Sequence, residues 1–294
     1  MRPEIMRALQ ARIDSHQHFW KYNPSEHTWM TPDMGMLKRD YLPNELRPLL
    51  DEIGFTGSIA VQARQSLAET SWLLSLAEYD PNIFGVVGWV DLQSPRVEDQ
   101  LRTFADNPRL AGVRHVVHDE PDDDFMLRPE FQHGISLLKD FDLAYDLLLV
   151  PRHLKPAVEL VKRFPEQRFV LDHSAKPRIA DMSFSPWRED LSELAQFPNV
   201  FCKLSGFVTE ARWRDWTEGN IRPYLDIVFE AFGCRRLMIG SDWPVCTLSG
   251  SYQCTMGIVS RYIEQFPKEF QSDILGGNCA RFYKIGQRSA KETV

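Results

Sequence analysis

The stretch RIDSHQHFW, residues 12–20, decides between two α/β folds. It begins as an apolar β-strand and ends in the polar pair His16 and His18, followed by Phe19 and Trp20. A doubly wound sheet that binds a dinucleotide would carry a glycine-rich phosphate loop at this turn. The turn contains no glycine, so the stretch favours a closed barrel, and an open doubly wound sheet is the alternative.

The rest of the chain repeats an alternation of short apolar runs and amphipathic helical segments. Runs rich in Val, Ile, Leu and Phe are typical of parallel strands buried on both faces. A helix between successive strands implies parallel pairing with right-handed crossovers. We therefore predict one TIM (β/α)8 barrel domain over residues 1–294, with the barrel at about 12–285. The strand-like runs cover residues 12–20, 54–63, 83–92, 110–120, 142–150, 168–177, 199–206 and 236–245.

One insertion interrupts the alternation directly after the first strand. Residues 21–40, KYNPSEHTWMTPDMGMLKRD, are too many for a plain turn between a strand and a helix. Long loops at this end of a barrel often cover the active site. We predict that this segment is a lid.

The composition argues against several classes of partner. The net charge is −7, which leaves no basic surplus to neutralise the phosphates of a nucleic acid. No apolar run approaches the ~20 residues of a membrane helix, and the first residues lack the apolar core of a signal peptide. The five cysteines show no CxxC spacing, which favours a reducing compartment. We expect a cytoplasmic protein with a small-molecule ligand, as a monomer or homodimer.

Polar residues at the ends of the apolar runs are the candidates for chemistry, because a barrel of this kind places its site at the C-terminal ends of the strands. His16 and His18 are two apart on one strand and face the same side. His173 follows the sixth run and Asp242 the eighth. Each alone has an ordinary structural interpretation, such as a buried histidine or a helix-capping aspartate. Together they are a ligand set for a divalent metal, or a metal-free cradle for a water or carbonyl.

Basic, imidazole and aromatic residues near the same strand ends are candidates for substrate binding. A buried cation at a strand end needs a partner, which is either an anionic or carbonyl group of the substrate or an acid such as Asp146 or Glu120. Strand alternation places Arg114 and His118 on one face and His115 on the other, unless a bulge intervenes. Flat aromatic rings suit a sugar-like ligand. The candidates are Trp20, Arg114, His115, His118, Lys176, Lys203 and Trp243.

Six motifs in order resemble the amidohydrolase superfamily, and more narrowly its sugar-lactonase branch of L-fuconolactonase and L-rhamnonolactonase-like enzymes. They are IDSHQHFW, GVVGWVDL, GVRHVVHDEP, LDHSAKP, CKLSG and GSDWPV. The resemblance extends from about residue 12 to about 283 and implies a distorted TIM barrel that hydrolyses a lactone ring to an aldonic acid.

By position, His16 and His18 match the family's first-strand pair, His173 its later-strand histidine and Asp242 its eighth-strand aspartate. The fourth strand carries Arg114 where other superfamily members have a metal-bridging lysine. The fifth strand offers Asp146 instead of a histidine. The resemblance with these departures implies one Zn2+, weakly bound or dispensable, held by His16, His18, His173 and Asp242.

We therefore predict opening of an aldonolactone similar to L-fucono-lactone, in sugar catabolism. In this hypothesis one Zn2+, or His16, His18 and Arg114 directly, polarises the carbonyl. Asp242 takes a proton from the attacking water and returns it to the ring oxygen. The predicted catalytic residues are Asp242, His173 and Arg114. One alternative is a metal-dependent decarboxylase of an aromatic or unsaturated acid, which would use the same ligands. The other is a non-catalytic barrel that binds a sugar acid.

Overall fold

The computed structural model describes residues 11–287, whose central feature is one parallel sheet of eight strands in chain order. Each strand pairs in parallel with the next, from the first to the eighth. The predicted (β/α)8 barrel is confirmed. The strands are β1 (Ile13–Gln17), β2 (Gly57–Val61), β3 (Ile83–Gly88), β4 (Leu110–His115), β5 (Ala144–Leu147), β6 (Phe169–Leu171), β7 (Val200–Leu204) and β8 (Leu237–Ile239).

Helices return the chain between successive strands and form the outer layer. Within the described residues the α-helices are α1 (Pro43–Glu52), α2 (Leu67–Tyr79), α3 (Val97–Ala105), α4 (Pro129–Leu138), α5 (Leu154–Arg163), α6 (Trp187–Leu194), α7 (Phe207–Glu210), α8 (Glu218–Phe232), α9 (Tyr252–Tyr262), α10 (Lys268–Ser272) and α11 (Asn278–Phe282). In the same part of the chain, no helix is both long and apolar enough to cross a bilayer.

Local sequence signals account for several helix ends. Helix α1 begins at Pro43, where the missing N–H of proline would have no partner in any case. The Ser251 side chain caps α9 by accepting a hydrogen bond from the Cys254 N–H. Helix α8 ends at Gly233, whose φ of 64° suits a residue without a Cβ.

The barrel is closed at its upper rim by residues just beyond β8, and not by β8 itself. Gln17 at the end of β1 forms a parallel bridge with Trp243. The His18 N–H donates to the Trp243 carbonyl over 2.7 Å, and the Asp242 N–H donates to the His16 carbonyl over 2.8 Å. The residues that join the first and last strands therefore include candidate site residues.

The barrel interior is apolar in its lower half and closed from below. Side chains of the strands pack there against Cys279, Phe282 and Tyr283 of α11 and the residue after it. The Asn278 side-chain amide fixes this plug by donating to the Leu237 carbonyl at the start of β8, over 2.7 Å. Chemistry is thus left to the other end of the barrel, where the strands terminate.

Candidate active site

His16 and His18 at the end of β1 bring their imidazoles into contact. Their Nε2 atoms lie 3.2 Å apart, and the rings meet edge to face. The Nδ1 of His18 bonds to the Val61 carbonyl at the end of β2, over 2.8 Å. A carbonyl can only accept, so Nδ1 of His18 carries the proton and its Nε2 is free to accept or to ligate.

His173 reaches the same volume through a left-handed turn directly after β6. Residues 173–176 all have φ between 50° and 58°, a region that costs a non-glycine residue roughly 1–2 kcal/mol. Packing holds the turn, since the Trp187 indole donates to the Ser174 carbonyl over 2.8 Å. The His173 ring is fixed by a 2.8 Å bond between Nδ1 and the Ser205 hydroxyl.

Gly206 makes room for the His173 ring. Its φ is +72°, and a Cβ added there would lie 2.8 Å from the Cβ, Cγ and Nδ1 atoms of His173. Any larger residue would therefore both strain the backbone and displace the imidazole. Two neighbouring residues of the sequence KLSG thus orient His173: Ser205 bonds to its Nδ1, and Gly206 leaves space for its ring.

Asp242 follows β8 and points its carboxylate at all three imidazoles. Its Oδ1 lies 3.3 Å from Nε2 of His18 and 3.9 Å from Nε2 of both His16 and His173. Its own φ is +58°, a strained value held by the backbone bond to His16. The structure thus brings the four predicted metal ligands together.

Burial and charge set the ionisation of this group. Burial lowers the pKa of His16 and of His173 well below the usual histidine range. Burial alone would raise the pKa of Asp242, but His173, His18 and Lys176 outweigh it and lower the pKa below its ordinary value. At neutral pH, neutral His16 and His173 therefore face an ionised carboxylate.

Arg114 on β4 lies beside this cluster and is anchored by Asp172. Its NH1 donates to Oδ2 of Asp172 over 3.0 Å and lies 3.3 Å from Nε2 of His16. Its NH2 donates to the Gln62 carbonyl over 2.5 Å. The acid that pairs with Arg114 is thus Asp172, instead of the Asp146 or Glu120 considered from the sequence.

Beneath the cluster lies a layer of buried charges built on Lys203. Its Nζ is 2.5 Å from Asp146 Oδ2 and 2.9 Å from Asp172 Oδ1, and the Tyr283 hydroxyl donates to Asp146 from below. Burial opposes a charged Lys203, but the two carboxylates outweigh it and raise its pKa. Lys203 therefore supports the site from underneath as a buried cation.

Above the cluster, a cavity of about 670 Å3 opens to the surface. Its lining includes four residues predicted to bind substrate, namely Trp20, Arg114, His118 and Lys176. Three others lie elsewhere. His115 stacks on Phe125 with its Nε2 2.7 Å from Glu120, Trp243 packs beneath Phe19 and Tyr41, and Lys203 is fully buried.

The segment 21–40 contributes one wall of the cavity through Glu26, Thr28, Trp29 and Met34. Its two ends are clasped, because Trp20 and Tyr41 exchange backbone hydrogen bonds of 3.0 and 2.9 Å. The segment is thus a loop with a fixed base that lines the cavity, and its role as a lid stays a prediction.

The cavity is lined by ion pairs, which the sequence interpretation did not identify. Arg64, just beyond β2, bonds to Glu26 of the loop and to the buried Glu69 of α2. Lys176 lies 3.7 Å from Glu210 at the end of α7. Arg64 follows the end of β2 and Glu210 follows the end of β7. The rule that found the residues after β1, β6 and β8 therefore extends to both.

The amidohydrolase family profile matches residues 13–285. The chain belongs to the amidohydrolase family. It is 41% identical to an L-fucono-1,5-lactonase of Burkholderia multivorans, over 93% of this chain and 96% of that one. It is 35% identical to an L-fucono-1,5-lactonase of Burkholderia ambifaria, over 96% and 98% of the two chains. A crystal structure of a Burkholderia multivorans amidohydrolase with bound zinc is 41% identical and superposes with a TM-score of 0.90, covering 94% of this chain and 99% of that one.

The donor set of this amidohydrolase fits a divalent metal. Nε2 of His16, Nε2 of His18 and Oδ1 of Asp242 are all mutually within 3.9 Å, which suits ligands about 2 Å from one tetrahedral ion. A second possible set contains His16, Asp172 and His173. It is the poorer one, because both carboxylate oxygens of Asp172 already lie within 3.0 Å of a cation.

Proposed function

We propose that this chain hydrolyses a neutral sugar lactone to the aldonic acid, and that L-fucono-1,5-lactone is the first substrate to test. One observation carries the proposal. Among the described residues that line the cavity, Arg64, Arg114 and Lys176 are the cations, and each pairs with a carboxylate. The positive side chains of this cavity are thus balanced by carboxylates, which suits an uncharged lactone better than an anionic substrate.

The same ion pairs suit a ligand with many hydroxyl groups. A hydroxyl both donates and accepts, so it can bond to the carboxylate and the cation of one pair at once. The 3.7 Å gap between Lys176 and Glu210 is longer than a direct hydrogen bond and leaves both groups able to take such a partner. Trp20 and Trp29 add flat apolar faces beside these polar groups.

Asp242 is the general base in the proposed reaction. Its lowered pKa keeps the group ionised, so the carboxylate can accept a proton from the water that attacks the lactone carbonyl. When the tetrahedral intermediate collapses, the protonated carboxyl returns that proton to the ring oxygen. The ring oxygen leaves as a hydroxyl of the open-chain acid, and Asp242 is ionised again.

Arg114 and the imidazoles stabilise the oxygen on which charge develops. The Arg114 guanidinium lines the cavity and is fixed by Asp172, so it can donate to the carbonyl oxygen without reorganising. His173 is held by Ser205, and its Nε2 lies 3.9 Å from Oδ1 of Asp242. A Zn2+ held by His16, His18 and Asp242, with His173 beside them, would polarise the carbonyl and activate water.

The decarboxylase alternative needs a cation to receive the carboxylate of its substrate. Arg114 faces the cavity but already pairs with Asp172, and Lys203 lies below the cavity floor. A barrel that only binds a sugar acid would need the same free cation. A metal at His16, His18 and Asp242 would also offer a cation to that carboxylate, so the preference for the lactonase proposal rests on the paired cations together with the 41% and 35% identity to two L-fucono-1,5-lactonases.

A panel of aldonolactones followed with a pH indicator tests the proposal, with and without chelator. We expect saturable acid release from L-fucono-1,5-lactone or a stereoisomer, and release at least about 100-fold slower from the Asp242→Asn variant. An aromatic carboxylic acid assayed in parallel for CO2 release is the control. Turnover of that acid without lactone turnover would replace the proposal by the decarboxylase.

A further inference from the structure

Asp242 lies in a short turn whose two neighbouring residues are bonded to each other across it. The Trp243 N–H donates to Oγ of Ser241 over 2.9 Å, so the serine side chain accepts from the backbone two residues further on. Such a bond closes many turns that contain serine. The residue enclosed by this bond is Asp242, whose φ of +58° costs an aspartate free energy. The bond therefore stabilises the strained backbone of Asp242.

The Ser241 hydroxyl has a single proton, and its nearest acceptor is Asp14. Oδ2 of Asp14 lies 2.6 Å from Oγ, whereas the His16 carbonyl lies 3.3 Å away. A hydroxyl has one proton and two lone pairs, and a carboxylate at the shorter distance forms the stronger bond. The proton therefore points at Asp14, and a lone pair of Oγ remains for the Trp243 N–H.

Asp14 on β1 is a fully buried carboxylate on which four donors converge. Its Oδ1 accepts from the N–H groups of Ser241 and His16 over 2.9 and 3.2 Å. Its Oδ2 accepts from the Ser241 hydroxyl and, over 3.2 Å, from the Tyr252 hydroxyl of α9. Four donors suit the acceptor sites of an ionised carboxylate. Asp14 thus fastens the turn after β8 to the strand that carries His16 and His18.

We propose that Ser241 is a positioning residue, which holds the carboxylate of Asp242 among the three imidazoles. The inference rests on the proposed role of Asp242 as the general base. Ser241 is fully buried, so it acts on a substrate only through Asp242. Without the hydroxyl, the Trp243 N–H loses this partner and the turn relaxes towards a negative φ. The carboxylate would then move away from His18.

The kinetics of Ser241→Ala on the proposed lactone test this role. We expect kcat to fall at least about tenfold with KM within about threefold, because a misplaced base slows the chemical step. Tyr252→Phe is the matched control. It also removes a hydroxyl from Oδ2 of Asp14, but it leaves the bond across Asp242 intact, so kcat should stay within about twofold.

Melting temperatures of the two variants show that each is folded at the assay temperature. Equal losses of kcat in Ser241→Ala and Tyr252→Phe would show that any weakening of the bonds to Asp14 lowers activity. An unchanged kcat in Ser241→Ala would show that the bond across Asp242 does not hold the base. Either result overturns the proposal.

Asp14→Asn separates the bond across Asp242 from the charge of Asp14. The asparagine keeps an oxygen for the N–H groups of Ser241 and His16. Ser241 can then turn its proton to the His16 carbonyl and still accept from Trp243. We therefore expect a loss in kcat smaller than about tenfold and smaller than that of Ser241→Ala. A larger loss would assign the effect to the charge and overturn the proposal.

Crystal structures of the variants give a readout that is independent of turnover. In Ser241→Ala, Oδ1 of Asp242 should move by more than about 0.5 Å from its place 3.3 Å from Nε2 of His18. In Tyr252→Phe it should stay. An unmoved Asp242 in Ser241→Ala would overturn the proposal even if kcat fell. Failure of the unmodified chain to hydrolyse any lactone would contradict the proposed function, and the crystal structures would still test the role of Ser241.

Discussion

Oδ1 of Asp242 lies 3.3 Å from Nε2 of His18, yet the backbone of Asp242 is held separately, by its N–H bond to the His16 carbonyl. Replacing the carboxylate by an amide therefore leaves the backbone anchor intact. We expect Asp242→Asn to lower kcat for the lactone by about 10²–10⁴-fold, the usual contribution of a general base. Circular dichroism and the melting temperature should show an intact barrel. Turnover within threefold of the unmodified chain would assign the proton transfer to another group.

Glu210 and Lys176 should control affinity for substrate hydroxyls. A hydrogen bond to a charged group contributes roughly 1.5–3 kcal/mol, so Glu210→Gln should raise KM about tenfold or more with little change in kcat. This increase in KM should vanish with a deoxy-lactone that lacks the hydroxyl bound by Glu210. Glu166→Gln, in the exposed pair with Lys139, is the control and should change neither constant. An equal KM increase with every deoxy-lactone would point to a structural role for Glu210 instead.

Gly206 should be essential for activity because of the space that it leaves for His173. In Gly206→Ala the new Cβ would lie 2.8 Å from the imidazole, so the ring must move and activity should fall at least about tenfold. Gly233→Ala is a matched control, with a similar φ of +64° and no heavy atom within 4 Å of the added Cβ. Backbone strain should cost Gly206→Ala about 1 kcal/mol of stability and Gly233→Ala more, because the ψ of 166° at Gly233 belongs to a region that is essentially restricted to glycine. If Gly233→Ala lost as much activity as Gly206→Ala, strain rather than the clash would be responsible.

Glu69 should make stability depend on pH. Burial raises its pKa to about 7 against the hydrogen bonds and charge of Arg64, whereas an unfolded glutamate titrates near 4.5. A raised acid pKa favours the folded state below pH 4.5, and this contribution is lost as pH rises through 7. The stability of the unmodified chain relative to Glu69→Gln should therefore fall by about 2 kcal/mol between pH 5 and pH 8. Melting curves of the two proteins at both pH values measure the difference, and a constant difference would show that Glu69 stays ionised.

The residues that sequence reasoning placed near one another are those at strand ends. His16, His18, His173 and Asp242 come from strands far apart in the chain, but parallel strands of a barrel end at one rim. That rule needs only the order of the strands. It was also enough to place Arg114 and His118 at the cavity.

Other features of the site depend on how deep a side chain lies in the barrel and on what packs over it. Strand alternation predicts neither. Lys203 belongs to a strand that reaches the rim, but it lies one layer too low to meet a ligand. The alternation rule correctly separated His115 from Arg114 without revealing that Phe125 would cover it. Arg64 lies in the loop after β2 and Glu210 ends the short helix α7, and their places in the cavity depend on how these segments pack beside the 21–40 segment and Lys176.

The bonds that join the ends of the first and last strands also fix the backbone of the residues that carry the chemistry. A chain in which the seven strand pairs have formed but this seam is open would hold Asp242 and His18 on separate edges. Recovery of turnover after dilution from denaturant therefore reports that this seam has formed. Helical signal does not require the seam, so it can return earlier than turnover.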